Sequence, residues 1–297
     1  MNTTIRNPIE WGWDHLKQAA GTMETASHNI GHAHLDDLGV IHAPSEAVAP
    51  LKVQQIDAAD LKDALVKGLE DFGAYRSDVV FLCVIYPIIG LVAAQLAVGS
   101  NLLPLIFPLA SGFALVGPFA AIGLYEMSRQ REQGAKVSWL TAAEVVKRPA
   151  IGAVALLGLG LIGLFALWMV AAELIYIATL GPRPASSMIS FASDVLTTPA
   201  GWAMIAIGIG TGFLFAVAAL LISVVSFPLL LDRDVGLDTA VRTSIRAVRA
   251  NPRTMALWGM IVAGGLVLGS LPLFLGLVVV MPVLGHATWH LYRKVIS

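Results

Sequence analysis

The sequence predicts an all-α polytopic membrane bundle: six transmembrane helices in three hairpins, with short amphipathic helices on the cytoplasmic side. Three observations carry this. Hydrophobic residues fill 57% of the 297 positions and charged residues only 13%, about half the charge that a soluble domain uses to cover its surface. The apolar residues gather into long uncharged runs, each at or above the ~20 residues that cross ~30 Å of hydrocarbon as a helix. Lysine and arginine concentrate in alternate gaps between those runs, as the positive-inside rule requires.

Residues 1–55 form a polar segment, expected to be cytoplasmic and partly disordered. They lack a basic stretch followed by a short apolar one, so the pattern of a cleaved signal peptide is not met. His28, His32 and His34, with Asp36 and Asp37, can hold a soft divalent metal, but His-rich polar tails are more often simply solvated. Trp11, Trp13 and Leu16 form a small amphipathic turn. Residues 56–297 form the membrane domain.

The first span covers 79–98 and the second 102–125, joined by a tight turn at Gly99, Ser100 and Asn101. The third run, 151–180, and the fourth, 200–231, exceed the bilayer thickness and must tilt, kink or enter the interface. The last run, 255–289, is too long for one helix. It divides at Gly269, Ser270, Leu271 and Pro272. The cations test this division. Arg129, Arg131, Lys136, Lys147 and Arg148 separate the second and third spans, and Arg233, Arg242, Arg246, Arg249 and Arg253 separate the fourth and fifth. With Arg293 and Lys294 after the last span, all of the 19 lysines and arginines except Arg183 fall on one side. Both termini are therefore expected in the cytoplasm.

A short amphipathic stretch precedes each odd-numbered span: 60–72 (Leu61, Leu65, Leu69 and Phe72 on one face), 138–146, and 237–248 (Val241, Ser244, Ile245 and Val248). Pro149 and Pro252 follow the latter two. A weak internal repeat aligns Pro108, Leu109, Gly112 and Pro118 with Pro272, Leu273, Gly276 and Pro282, and continues through Tyr125 with Trp289, Glu126 with His290 and Arg129 with Arg293. Chance also produces such matches, because proline and glycine are common in membrane helices. Gly208-x-x-x-Gly212 and Gly265-x-x-x-Gly269 allow close helix approach.

Three stretches resemble one family: 108–129, from Pro108-Leu-Ala-Ser-Gly to Tyr-Glu-Met-Ser-Arg129; Ser223-Val-Val-Ser-Phe-Pro-Leu-Leu-Leu-Asp-Arg-Asp234; and Gly285-His-Ala-Thr-Trp-His-Leu-Tyr-Arg293. The family is a bacterial one of predicted integral membrane proteins, domain of unknown function 2189. The resemblance runs from about Asp60 to the C-terminus and implies a membrane fold without an activity. Some members are described as similar to cytochrome oxidase subunit I, but the intramembrane histidine set that haem and copper need is absent here.

Few residues carry candidate chemistry. Glu173 is the one acidic residue well inside a span, where a charge costs about 2.5–3.5 kcal/mol at mid-membrane. Gln95, at similar outer depth, can be its partner. This pair is a candidate intramembrane polar site, against the alternative of a neutral, hydrogen-bonded glutamic acid. A second cluster gathers at the cytoplasmic span ends: Glu126, Arg129, Asp232, Arg233, Asp234, His286 and His290. It reads either as an inner vestibule or as ion pairs fixing helix ends. His286 and His290, at i and i+4, share a helix face and can offer two imidazoles to a ligand. Trp289 and Tyr292 beside them read instead as an interfacial aromatic anchor. The stripe Arg242, Arg246, Arg249 and Arg253 faces the inner leaflet and attracts anionic headgroups.

Gly158-x-Gly160-x-x-Gly163 fits a dinucleotide-loop pattern but lies mid-span without a preceding strand. No nucleotide, zinc-protease or serine-hydrolase motif occurs. No cofactor, catalytic residue or metal site is expected, and a net charge of −1 gives no reason to expect nucleic acid. The lipid bilayer and other inner-membrane subunits are the expected partners. Two functions remain. One is a structural or accessory component of a membrane complex; the other is a small-solute transporter or channel using Glu173.

Overall fold

The computed structural model describes residues 51–83, 121–135, 150–182 and 187–297, with a few isolated positions between them. Gln95, Arg183, the histidines of the N-terminal segment, the 138–146 stretch and nearly all of the first two spans lie outside the described residues. Among those described, the chain is all-helical, with a single isolated β-bridge. The helices are α1 (Ala58–Cys83), α2 (Ile122–Glu132), α3 (Ile151–Thr179), α4 (Met188–Thr197), α5 (Pro199–Ser223), α6 (Ser226–Asp232), α7 (Leu237–Ala250), α8 (Pro252–Ser270) and α9 (Leu277–Val295).

Among the described residues, three helical stretches are long and apolar enough to cross a membrane: α3, α5 continued through α6, and α8. Each turns large apolar side chains outward, among them Leu167, Phe213, Leu214 and Met260. A water-soluble monomer does not tolerate so much exposed apolar surface; lipid does. α3 and α5 pack through Trp168, which meets Phe215 at 5.5 Å and comes within 3.2 Å of a side chain built on Gly212. Gly208 faces open space, so only one glycine of that pair serves a contact.

The long fourth run is relieved by a break rather than by tilt alone. Pro228 has no N–H to return to the Val224 carbonyl, and the helix interrupts between Ser223 and Ser226. Ser223 and Ser226 turn their hydroxyls onto the carbonyls of Ala219 and Ile222. The Val225 N–H donates to Ser244 Oγ of α7 at 3.3 Å, so a neighbouring helix takes up a group that the break frees.

The last apolar run does divide in two, but its turn lies at 271–276, with Leu273 and Phe274 at positive φ (52° and 65°). Gly269 belongs to the helix before the turn. It is the point of closest approach, where an added Cβ would stand 2.8 Å from Leu277 Cδ2. Gly265 likewise faces Val280 and Leu284.

The 60–72 stretch is no separate interfacial helix: it continues unbroken to Cys83 as α1 and packs along α9. Its buried stripe is Leu61, Ala64, Gly68 and Asp71, while Leu69 is 57% exposed. Gly68 makes this approach possible, since a Cβ there would lie 2.7 Å from the Ala287 nitrogen and 2.8 Å from the Val283 carbonyl oxygen. Asp57 caps α1, its Oδ1 accepting from the N–H groups of Ala59 and Asp60 while Asp60 Oδ2 accepts from Asp57 N–H, a reciprocal cap.

Residues 51–57 extend back along the C-terminus. The Gln54 N–H donates to the Val295 carbonyl at 2.8 Å, and Lys52 and Ser297 exchange two backbone bonds. Buried Asn251 pins this segment, accepting from Ile56 N–H at 2.9 Å and donating to the Gln54 carbonyl at 3.0 Å. Trp289 and Tyr292 are fully buried and 5.5 Å apart. They are therefore core residues and not the interfacial anchor their neighbourhood suggested, because α1 and α2 cover the face of α9 that carries them.

Candidate functional site

The polar side chains of α1, α2 and α9 converge at one end of the bundle, with the end of α6 beside them. Asp71 stands at the centre, delivered by the stripe that buries Leu61, Ala64 and Gly68. Its Oδ2 accepts from Ser128 Oγ at 2.6 Å and meets His290 Nε2 at 2.8 Å; its Oδ1 accepts from Arg131 Nη1 at 2.5 Å. Ser128 Oγ also meets His286 Nδ1 at 2.8 Å. His290 Nδ1 lies 3.5 Å from Glu132, which pairs with Arg293 at 3.3 Å. Asp71, Ser128 and His286 are all buried. The i, i+4 spacing of His286 and His290 does place both on one face, as expected. That face meets a carboxylate.

The protonation pattern follows from donor counting. A serine hydroxyl has one proton, and here it goes to Asp71. His286 Nδ1 must then donate to Ser128 Oγ, so this tautomer is an inference from the hydrogen-bond chain. His286 Nε2 has no good hydrogen-bond partner, and as a bare lone pair it costs less buried than an orphaned N–H. For His290, burial opposes the charged form, but the hydrogen bonds to Asp71 and Glu132 outweigh it and raise its pKa. For Asp71, burial alone would raise the pKa. The hydrogen bonds from His290 and Ser128 prevail and hold it below the usual carboxylate range.

Glu126 anchors the adjoining group at 1% exposure. It accepts from Arg129 Nε at 2.9 Å, Gln130 Nε2 at 2.8 Å and Arg148 Nη2 at 2.7 Å. Arg148 also reaches the Leu231 carbonyl at 3.3 Å, tying the start of α3 to α6. Asp232 accepts from Tyr292 Oη at 2.7 Å and Arg293 Nη1 at 3.3 Å, with Arg233 at 3.9 Å. Burial and this bond to Asp232 push the Tyr292 phenol well above its ordinary range. Lys294 bridges back to Asp60 and Asp63.

Of the residues expected at this end, Glu126 with Arg129 and Asp232 with Arg233 are brought together, while His286 and His290 join through Asp71. Asp234 is exposed. Sequence reading missed Asp71, Ser128, Arg131, Glu132, Arg148, Tyr292 and Arg293 as members. A signal existed for one of them, since Asp71 continues the apolar stripe 61, 64, 68. Glu173 is remote from this network. It is half-buried on α3.

Apolar helices long enough to span a bilayer and a buried polar network at one end fit an α-helical integral membrane protein. Residues 106–232 match the family model described as predicted integral membrane protein (DUF2189). The match is narrower than the resemblance read from about Asp60 onward, and the network bridges its edge: Glu126, Ser128, Arg131 and Asp232 lie within it, Asp71, His286 and His290 outside. No curated protein and no solved structure matches the chain.

Proposed function

We propose that this protein is a structural or accessory component of a membrane complex, not an enzyme. It has six spans in three hairpins across a bacterial inner membrane, and its charged end and both termini are cytoplasmic. One observation carries the reading: the buried charges close on each other. Asp71 and Glu126 each take three donors from the chain itself, leaving little electrostatic demand for a solute to satisfy. Buried pairs of this kind specify one arrangement of helices, as a rigid docking platform requires. A hydrolytic role for Ser128, His286 and Asp71 runs against their polarity. A nucleophilic serine gives its proton to histidine, whereas Ser128 gives its proton to Asp71 and accepts from His286.

The transport alternative rests on Glu173, half-buried on a spanning helix, with no ion pair or hydrogen bond to it among the described residues. Cross-linking followed by mass spectrometry in native membranes tests the first reading. We expect a reproducible set of membrane-protein partners captured through the α3–α5 and α8 surfaces. A solute flux in proteoliposomes that Glu173→Gln abolishes would overturn it.

A further inference from the structure

We propose that the junction of α7 and α8 is a binding site for an anionic phospholipid. The inference begins with how α7 is held. Its small buried residues Ala240, Thr243, Ser244 and Ala247 dock on the bundle, and Ser244 is tied to the α5–α6 break, so rotation about its axis is fixed. Arg242, Arg246 and Arg249 therefore point outward, and Arg253 does so from the first turn of α8.

These cations are not equivalent. Arg242 is neutralised by Asp238 at 2.7 Å and Arg246 donates to Thr243. Arg129, Arg131, Arg148, Arg233 and Arg293 each hold a carboxylate. Arg249 and Arg253 have neither a hydrogen bond nor an ion pair among the described residues. Unlike the arginines that hold carboxylates, these two leave their charge available to an anion.

The surface below them gives the rest of the ligand. From Arg253 the exposed face of α8 runs through Leu257, Met260, Gly264 and Val267, at intervals of four, three, four and three residues. This is one straight helical stripe, cationic at the top and apolar for the length of a membrane span. Gly264 has nothing within 4 Å of the position a side chain would take, so an acyl chain can lie against the backbone there. A phosphate diester on the two guanidiniums with its chains along this stripe satisfies both halves. A free anion uses only the first.

Native mass spectrometry and thermal melting of the full chain in detergent test this, with added phosphatidylglycerol, phosphatidylcholine or glycerol 3-phosphate. The expected result is retention of phosphatidylglycerol about tenfold above phosphatidylcholine, as two interfacial arginines support. That preference disappears in Arg249→Gln/Arg253→Gln and persists in Arg249→Lys/Arg253→Lys. Unchanged melting of the Gln variant without lipid separates loss of the site from loss of the fold. Equal retention of both lipids overturns the proposal, as does a preference that survives the Gln substitutions. Stabilisation by glycerol 3-phosphate equal to that by the lipid also overturns it, leaving an anion site without a lipid.

Discussion

The oxygen of Asp71 shared by Ser128 and His290 sets the pH response of this fold. Facing it are His286 and His290 from α9, Arg131 and Glu132 from α2, and Arg293, which holds Glu132. Pairing raises the pKa of His290 above its ordinary 6.5. The resulting stabilisation is complete below that value and is lost as pH climbs through the raised one. Asp71, held below its ordinary 3.8, stabilises above that value and loses its contribution as pH falls through the lowered one. The joint contribution of Asp71 and His290 to melting in detergent should therefore be greatest between about pH 4 and 6.5. His290→Gln should cost about 1–3 kcal/mol at pH 6 and flatten the alkaline limb of the profile; an unchanged limb would assign it to other groups. Sequence alone made Glu126, Arg129, Asp232 and Arg233 legible, because charges at span ends have few places to go. It did not reveal Asp71, because a carboxylate on an amphipathic stretch ordinarily faces water, and its histidine partner lies 219 residues away.

Helix approach depends on small residues at specific crossings. Gly68→Ala places a methyl group on the α9 backbone and should destabilise by about 1–3 kcal/mol. Gly73→Ala, on the same helix with nothing within 4 Å, should be neutral or stabilising by up to about 1 kcal/mol. Equal melting temperatures for the two variants would mean that α1 does not need this contact. The internal repeat gains a physical consequence here. Gly285 and Ala121 occupy equivalent positions under its alignment, and a side chain on Gly285 would meet the Ala121 Cβ at 3.4 Å. Apolar run lengths made the long spans and the division of the last run readable from sequence. The exact turn and the helix break were less so, because glycine and proline mark both bends and close contacts, and only the packed neighbour distinguishes them.

For the molecule as a whole, the segregation of cations is the strongest argument for orientation. In a Cys83→Ala background, Ser297→Cys should react with a membrane-impermeant maleimide only after the inner membrane is permeabilised. Pro182→Cys should react in intact spheroplasts. The reverse pattern would invert the proposed topology.

The clasp between residues 51–57 and the C-terminus, reinforced by the seating of α1 on α9, also fixes a schedule. Asp71 leaves the ribosome 219 residues before His290, an interval of about 10–45 s at ordinary elongation rates. During it, the carboxylate waits without its final histidine partner while the intervening helices enter the bilayer. Closure thus waits for α9, and a nascent chain stalled before α9 presents an unfinished acidic helix to whatever quality-control machinery surveys the membrane.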